Sequence, residues 1–180
     1  IRRYRMVEIK LPEFFGVEEG RNSPIRLGEY VVADGLDRKG KAQVRIQSHI
    51  HSDHLNNWKH HIKPGKKLIL TGPSKEILMI DESHIKRRAT ILTPEYDSEI
   101  KLPIENNDIK IRVLDAKHIP GSIQCSVEYQ NGDLFGYSGD VGEDVDKIIQ
   151  AEYLIMDTAY TKFKQGSNRT WDREKAFKEL

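Results

Sequence analysis

The chain has 180 residues, with 37% apolar and 32% charged side chains, and 29 basic against 28 acidic residues leave a net charge of +1. That length suits one domain, able to bury roughly 70% of the surface its unfolded form exposes. The composition excludes a disordered tail, a collagen-like chain and a disulfide scaffold. It also excludes a histone-like polycation, so any nucleic-acid partner must be held by local basic patches.

In chain order, Tyr30-Val31-Val32-Ala33 is the first apolar run, suited to a strand covered on both faces. Val44 and Ile46 alternate with polar residues, which predicts a half-buried strand. Leu55, Trp58 and Ile62 share one helical face after Ser52-Asp53, which predicts a helix there. Leu68-Ile69-Leu70 reads as another covered strand. Ser74 is placed to cap a short helix carrying Ile77 and Leu78. Ile109, Ile111 and Val113 alternate, as do Ile123, Cys125, Val127 and Tyr129, and both predict strands. Asn131-Gly132 predicts a hairpin between the run ending at Tyr129 and the one starting at Leu134. Tyr153-Leu154-Ile155-Met156 is a further strand. Thr170 and Asp172 open a last helical pattern that is still running at Phe177 and Leu180, so the natural chain is expected to continue. Strands with helices between them predict layered α/β packing.

The lone cysteine, Cys125, alternates with core residues and cannot form an internal disulfide, which points to a reducing, cytoplasmic compartment. No apolar run approaches the ~20 residues of a membrane span. The charged start, Ile1 to Arg5, is followed by no signal-peptide run.

One segment carries the chemistry: Ser48-His49-Ile50-His51-Ser52-Asp53-His54-Leu55. His49 and His51 are two apart at a strand end, so their side chains point the same way. Asp53 and His54 follow as the chain turns away, so they point to a neighbouring place. That arrangement suits two adjacent metal ions. Imidazole and carboxylate without thiolate favour zinc, with manganese and iron as rivals. The plain alternative is a polar loop that happens to be rich in histidine.

His-x-His-x-Asp-His resembles the signature of the metallo-β-lactamase superfamily. Asp34, which closes the Val31-Val32-Ala33 run, His118 in Lys117-His118-Ile119-Pro120-Gly121-Ser122, and Asp140 in Tyr137-Ser138-Gly139-Asp140 match later superfamily positions in order. With Met156-Asp157-Thr158-Ala159-Tyr160, they are similar to the β-CASP nuclease branch. That branch includes messenger-RNA 3′-end processing endonucleases, microbial RNA-processing relatives and DNA cross-link repair exonucleases. The likeness spans about residues 30–160.

The resemblance implies a four-layer αββα sandwich, α+β by strict class and incomplete at its C-terminus. Residues 1–160 would form the metallo-β-lactamase-like domain, and 161–180 the start of a helix leading to a cap domain. An incomplete sandwich implies apolar surface left along one sheet and a protein partner or second copy over it. The resemblance further implies two divalent ions, held by His49, His51 and His118 at the first site and by Asp53 and His54 at the second. Asp140 would bridge them, and Asp34 would accept a hydrogen bond within the ligand loop. A shared hydroxide would then attack phosphorus in line, with Asp53 and Asp157 as the catalytic carboxylates. Asp157 orients a proton-donating histidine in the branch. The branch also places further histidines downstream, whereas none of the seven here (49, 51, 54, 60, 61, 84 and 118) follows His118.

The expected activity is therefore nucleic-acid phosphodiester hydrolysis, with RNA the leading substrate. Repair-type DNA exonuclease and non-catalytic nucleic-acid-binding or scaffold subunit are the alternatives. A small-molecule thioester hydrolase or lactonase is disfavoured by the Asp157 motif. Lys63, Lys66 and Lys67 are candidate phosphate contacts, against the plainer reading of a solvated face. Ser122 is a candidate for lending an amide near phosphate. His60, His61 and His84 read as surface or structural residues, and Tyr160 and Trp171 as packing residues, with stacking on a base the alternative.

Overall fold

The computed structural model describes residues 11–12, 14–17, 24–35, 37, 40–55, 58–61, 63–81, 90–105 and 107–157. Two sheets pack face to face. The first runs β1 (Phe15–Val17), β2 (Ile25–Leu27), β3 (Val31–Ala33), β4 (Val44–Ile46), β5 (Lys67–Ile69) and β6 (Thr90–Leu92) in spatial order. Strands β1 to β3 are antiparallel, and β3 to β6 are parallel. The second sheet runs β11 (Tyr153–Ile155), β10 (Leu134–Tyr137), β9 (Ile123–Glu128), β8 (Asn107–Asp115) and β7 (Ser98–Ile104). It is antiparallel except for the parallel pair β10–β11.

The alternating residues meet between the sheets. Val31, Val44, Ile46 and Ile69 from the first pack with Ile109, Ile111, Val113, Cys125 and Val127 from the second. Phe15, Phe135 and Tyr153 close one end as an aromatic cluster. On the other face of the first sheet, Leu68, Leu70 and Trp58 pack with Leu55, Leu78 and Ile91. There lie helix α1 (Gly72–Asp81) and a 3₁₀ turn (Trp58–His61). Three layers are thus present among the described residues.

The Asn131-Gly132 hairpin forms as read, with Tyr129 N donating to Asp133 O and Gly132 at φ 92. The helix expected after Ser52-Asp53 does not form as one element among the described residues. His54 and Leu55 both donate to His51 O, and Trp58 N donates to Leu55 O. The physical reason is the His54 carbonyl, which accepts from the Arg45 and Gln47 side chains instead of from the next helical turn. Ile62 lies outside the described residues. Ser74 sits inside the first turn of α1, and its hydroxyl donates to Gly121 O instead of capping the helix.

The outer face of the second sheet carries paired charges. Glu99 and Arg112 pair across strands, as do Lys110 and Glu128, with the last pair joined at 2.8 Å. Residues 147–150 run against this face, where the Gln124 side chain donates to Lys147 O and accepts from Ile149 N. Residues 158–180, including the expected C-terminal helix, Tyr160 and Trp171, lie outside the described residues. So does His84.

Candidate metal centre

The candidate ligands all follow the carboxyl ends of strands. Asp34 follows β3, His49 to His54 follow β4, His118 follows β8, Asp140 follows β10, and Asp157 follows β11. Parallel pairing in β3–β4 and β10–β11 brings these ends to one rim. Ile123 N donates to Ser48 O and ties the two sheets together there. Ring and carboxylate atoms of His49, His51, His118 and Asp140 lie within 4.8 Å of one another. His54, Asp140 and Asp157 form a second such group.

Individual distances show how tight the first group is. His49 Nε2 lies 3.1 Å from His51 Nδ1, and His118 Nε2 lies 3.2 Å from the same atom. Asp140 Oδ2 is 3.7 Å from His49 Nε2 and 3.5 Å from His118 Nε2. Four ligands at 2.0–2.1 Å from a tetrahedral ion lie about 3.3–3.4 Å apart. The observed separations straddle that value. The other Asp140 oxygen, Oδ1, faces His54 Nε2 at 3.4 Å. Oδ1 is buried and has no hydrogen-bond donor. An unpartnered buried carboxylate oxygen is costly, and a cation between Oδ1 and His54 would satisfy it. The donor set, imidazole plus carboxylate, therefore fits a pair of ions sharing Asp140.

Behind the ligands, Asp34 organises the loop. This residue takes a left-handed φ of 44 and is 4% exposed. Its Oδ1 accepts from Ser48 N and Gln47 Nε2. Its Oδ2 accepts from Ser48 Oγ, Tyr137 OH and His54 Nδ1, the last at 2.8 Å. With Nδ1 so engaged, His54 turns Nε2 toward Asp140, and Nε2 is the nitrogen that would give up its proton to hold a metal while Asp34 keeps the Nδ1–H. Burial opposes the charge on Asp34, but these donors and Arg45 hold its carboxyl below the ordinary range. Burial likewise opposes the His54 cation, yet Asp34, Asp140 and Asp53 outweigh it and raise His54 to about 9. Burial and the positive His54 beside it bring His49 down to about 4, so His49 is neutral and able to ligate.

The remaining candidates divide. Asp53 has a side chain 78% exposed, 3.8 Å from His54 Nε2, and stands outside both groups. Asp157 occupies the place in the second group where the sequence put Asp53. Ser122 is buried, and its hydroxyl accepts from His118 N and Ile119 N, which shapes the turn instead of facing a phosphate. Its own amide donates to Ile119 O. Lys63, Lys66 and Lys67 lie where β5 begins, the opposite end of the parallel strands from the histidines. Lys66 Nζ donates to the carbonyls of Gly40 and Ala42. The structure thus places these three lysines away from the histidine rim, with Lys66 holding the turn at Gly40 to Ala42.

Sequence reasoning missed Arg45, Gln47 and Tyr137. All three are essentially buried, at 0%, 1% and 1% exposure. For Arg45 the available signal was position: a polar residue in a central parallel strand is covered on both faces and must be bonded.

No family model matches the chain, and no curated protein matches it. Solved metallo-β-lactamase-type structures do match. One is a metallo-β-lactamase of Cronobacter sakazakii with a HARLDQ motif, at 12% identity and a TM-score of 0.47, over 72% of this chain and 60% of that one. Another is the metallo-β-lactamase fold protein YhfI of Bacillus subtilis, at 17% identity and a TM-score of 0.43, over 70% and 58%. The flavodiiron protein of Giardia intestinalis matches at 18% identity and a TM-score of 0.42, over 65% and 32%. The chain thus spans at most about three-fifths of the length of these three proteins. Among the described residues, no helix is long and apolar enough to cross a membrane.

Proposed function

We propose that this chain carries the ligand-bearing part of a two-metal hydrolase of the metallo-β-lactamase type, acting on phosphodiester bonds of nucleic acid. The observation that carries the reading is Asp140, whose two carboxylate oxygens face two separate ligand groups. His49, His51 and His118 would hold the first ion; His54 and Asp140 would hold the second. Zinc suits these donors best, with manganese or iron as rivals. Bound at this rim, such ions would lower the pKa of water and polarise a phosphoryl oxygen.

The protein's own residues would do the rest. Asp34 holds His54 in one tautomer. The Ser122 hydroxyl fixes the turn that aims His118 at His51. Asp53 at the exposed rim, and Asp157 if it is left unligated in the second group, would be the carboxylates that carry protons. The β-CASP resemblance of the motifs at 118–122, 137–140 and 157 supports nucleic acid as substrate, with RNA preferred. The Pro120-Gly121-Ser122 and Asp157-Thr158-x-Tyr160 patterns favour the second reading, a repair-type DNA exonuclease.

The test is cleavage of end-labelled RNA and DNA oligonucleotides by the metal-loaded chain, with His49→Ala and Asp140→Ala beside it. Cleavage lost in both variants supports the reading. Cleavage that persists in both contradicts it. A metal-loaded chain that cuts neither polymer would remove the nuclease assignment and leave the metal centre standing.

A further inference from the structure

Arg45 is a charged side chain with no exposed surface, on the helix-covered face of the first sheet. Its cross-strand neighbours there are Val32 and Leu68. Taking a guanidinium out of water is costly, and an apolar residue of similar size in such a place is often neutral or stabilising. Burial pulls Arg45 down to about 10, with Asp34 opposing, so it remains charged at neutral pH.

Its hydrogen bonds converge on the ligand loop. Nη1 donates to Gly35 O, next to Asp34. Nη2 donates to His54 O at 3.1 Å and to Gln47 Oε1 at 2.8 Å, and Nε donates to the same Gln47 oxygen at 3.2 Å. The carboxamide so oriented points Nε2 at three acceptors. These are His49 O at 2.7 Å, Asp34 Oδ1 at 2.9 Å and His54 O at 3.1 Å. The pair therefore grips the backbone of one residue from each proposed metal site, together with the carboxylate that sets the His54 tautomer. A lysine cannot reproduce this, because only the planar fork reaches Gly35, Gln47 and His54 at once.

We propose that Arg45 and Gln47 are positioning residues that fix the spacing between the two proposed metal sites by clamping the carbonyls of His49 and His54. This rests on the two-metal reading above. Outer partners of metal ligands are typically worth 10–100-fold in metal affinity, and that is the size of loss expected.

The test is competitive zinc titration of the full chain against a chromophoric chelator, with thermal midpoints measured alongside. Arg45→Met and Gln47→Met should bind zinc 10–100-fold more weakly. Leu68→Ala, on the same face beside Arg45, should lower the midpoint and leave zinc affinity within about threefold. Arg45→Met and Gln47→Met affinities within about threefold of the parent would overturn the proposal, as would an equal loss in Leu68→Ala. Should Arg45→Met fail to fold, Gln47→Met decides alone, since it deletes the carboxamide and keeps the guanidinium. A parent chain that binds no zinc would instead refute the two-metal reading on which the proposal rests.

Discussion

Gly121→Ala, in the buried turn that follows His118, should be strongly destabilising. Gly121 has φ +91, and an added Cβ would lie 2.3 Å from Ser74 Oγ, 2.7 Å from Ser74 N and 2.9 Å from Thr71 Oγ1. Ser74 N is backbone in the first turn of α1, so the loop must move away from the helix. Movement endangers three hydrogen bonds. Thr71 Oγ1 and Ser74 Oγ donate to Gly121 O, and Gly121 N donates to Tyr96 OH at 3.1 Å. The backbone conformation alone costs an L-residue about 1–2 kcal/mol, and each hydrogen bond contributes about 1 kcal/mol. The sum is about 4–5 kcal/mol, or roughly 8–20 °C in thermal midpoint for a domain of this size.

Gly132→Ala is the internal control. It has φ +92 and nothing within 4 Å of the added Cβ. It should lose only the conformational part, roughly 2–8 °C. Calorimetry of both variants reads the difference. Equal losses in the two would refute the claim that the His118 turn is docked on α1.

Asp37 makes a buried ion pair with Arg26 and accepts from Ala42 N. Burial opposes its charge, but these partners hold its carboxyl below the ordinary value. Its contribution is therefore present above about pH 4 and lost as pH falls through the depressed native value. The stability gap between parent and Asp37→Asn should be wide near pH 6 and close toward about pH 2, as urea titrations would show; a gap independent of pH would contradict this. The Cys125 thiol is 1% exposed, and burial raises it well above the ordinary range. A chromogenic disulfide reagent should leave it unmodified in the native chain and label it in denaturant. Chelation of the metal-loaded chain should lower its thermal midpoint by mass action, about 2.7 kcal/mol of stabilisation vanishing for metal at 100 times its Kd; an unchanged midpoint would mean that no ion is bound in the native state.

The strands were largely legible because alternation and continuous apolar runs report burial directly. Ile109-Ile111-Val113 and Ile123-Cys125-Val127 both turn their apolar side to the sheet interface. Of the helix expected after Asp53, the described residues show a 3₁₀ turn at Trp58–His61, because the periodicity of Leu55 and Trp58 reports a shared apolar face, which such a turn also provides. Nothing local in the sequence shows that Arg45 and Gln47 take the His54 carbonyl away from the helix. The histidines were visible as a motif, and their distances depend on which strand ends the sheets bring to one rim. The lysines near residue 65 illustrate the same limit. They are close to the motif in sequence, and a parallel strand carries them to the other end of the sheet.

The account stands or falls on the metal centre. The most direct measurement is elemental analysis of the chain after zinc loading and desalting, beside Asp140→Ala. About two ions per chain, with at most one retained when Asp140 is removed, is the predicted result. A chain that keeps no zinc, or an Asp140→Ala variant that keeps the full complement, would contradict the shared site.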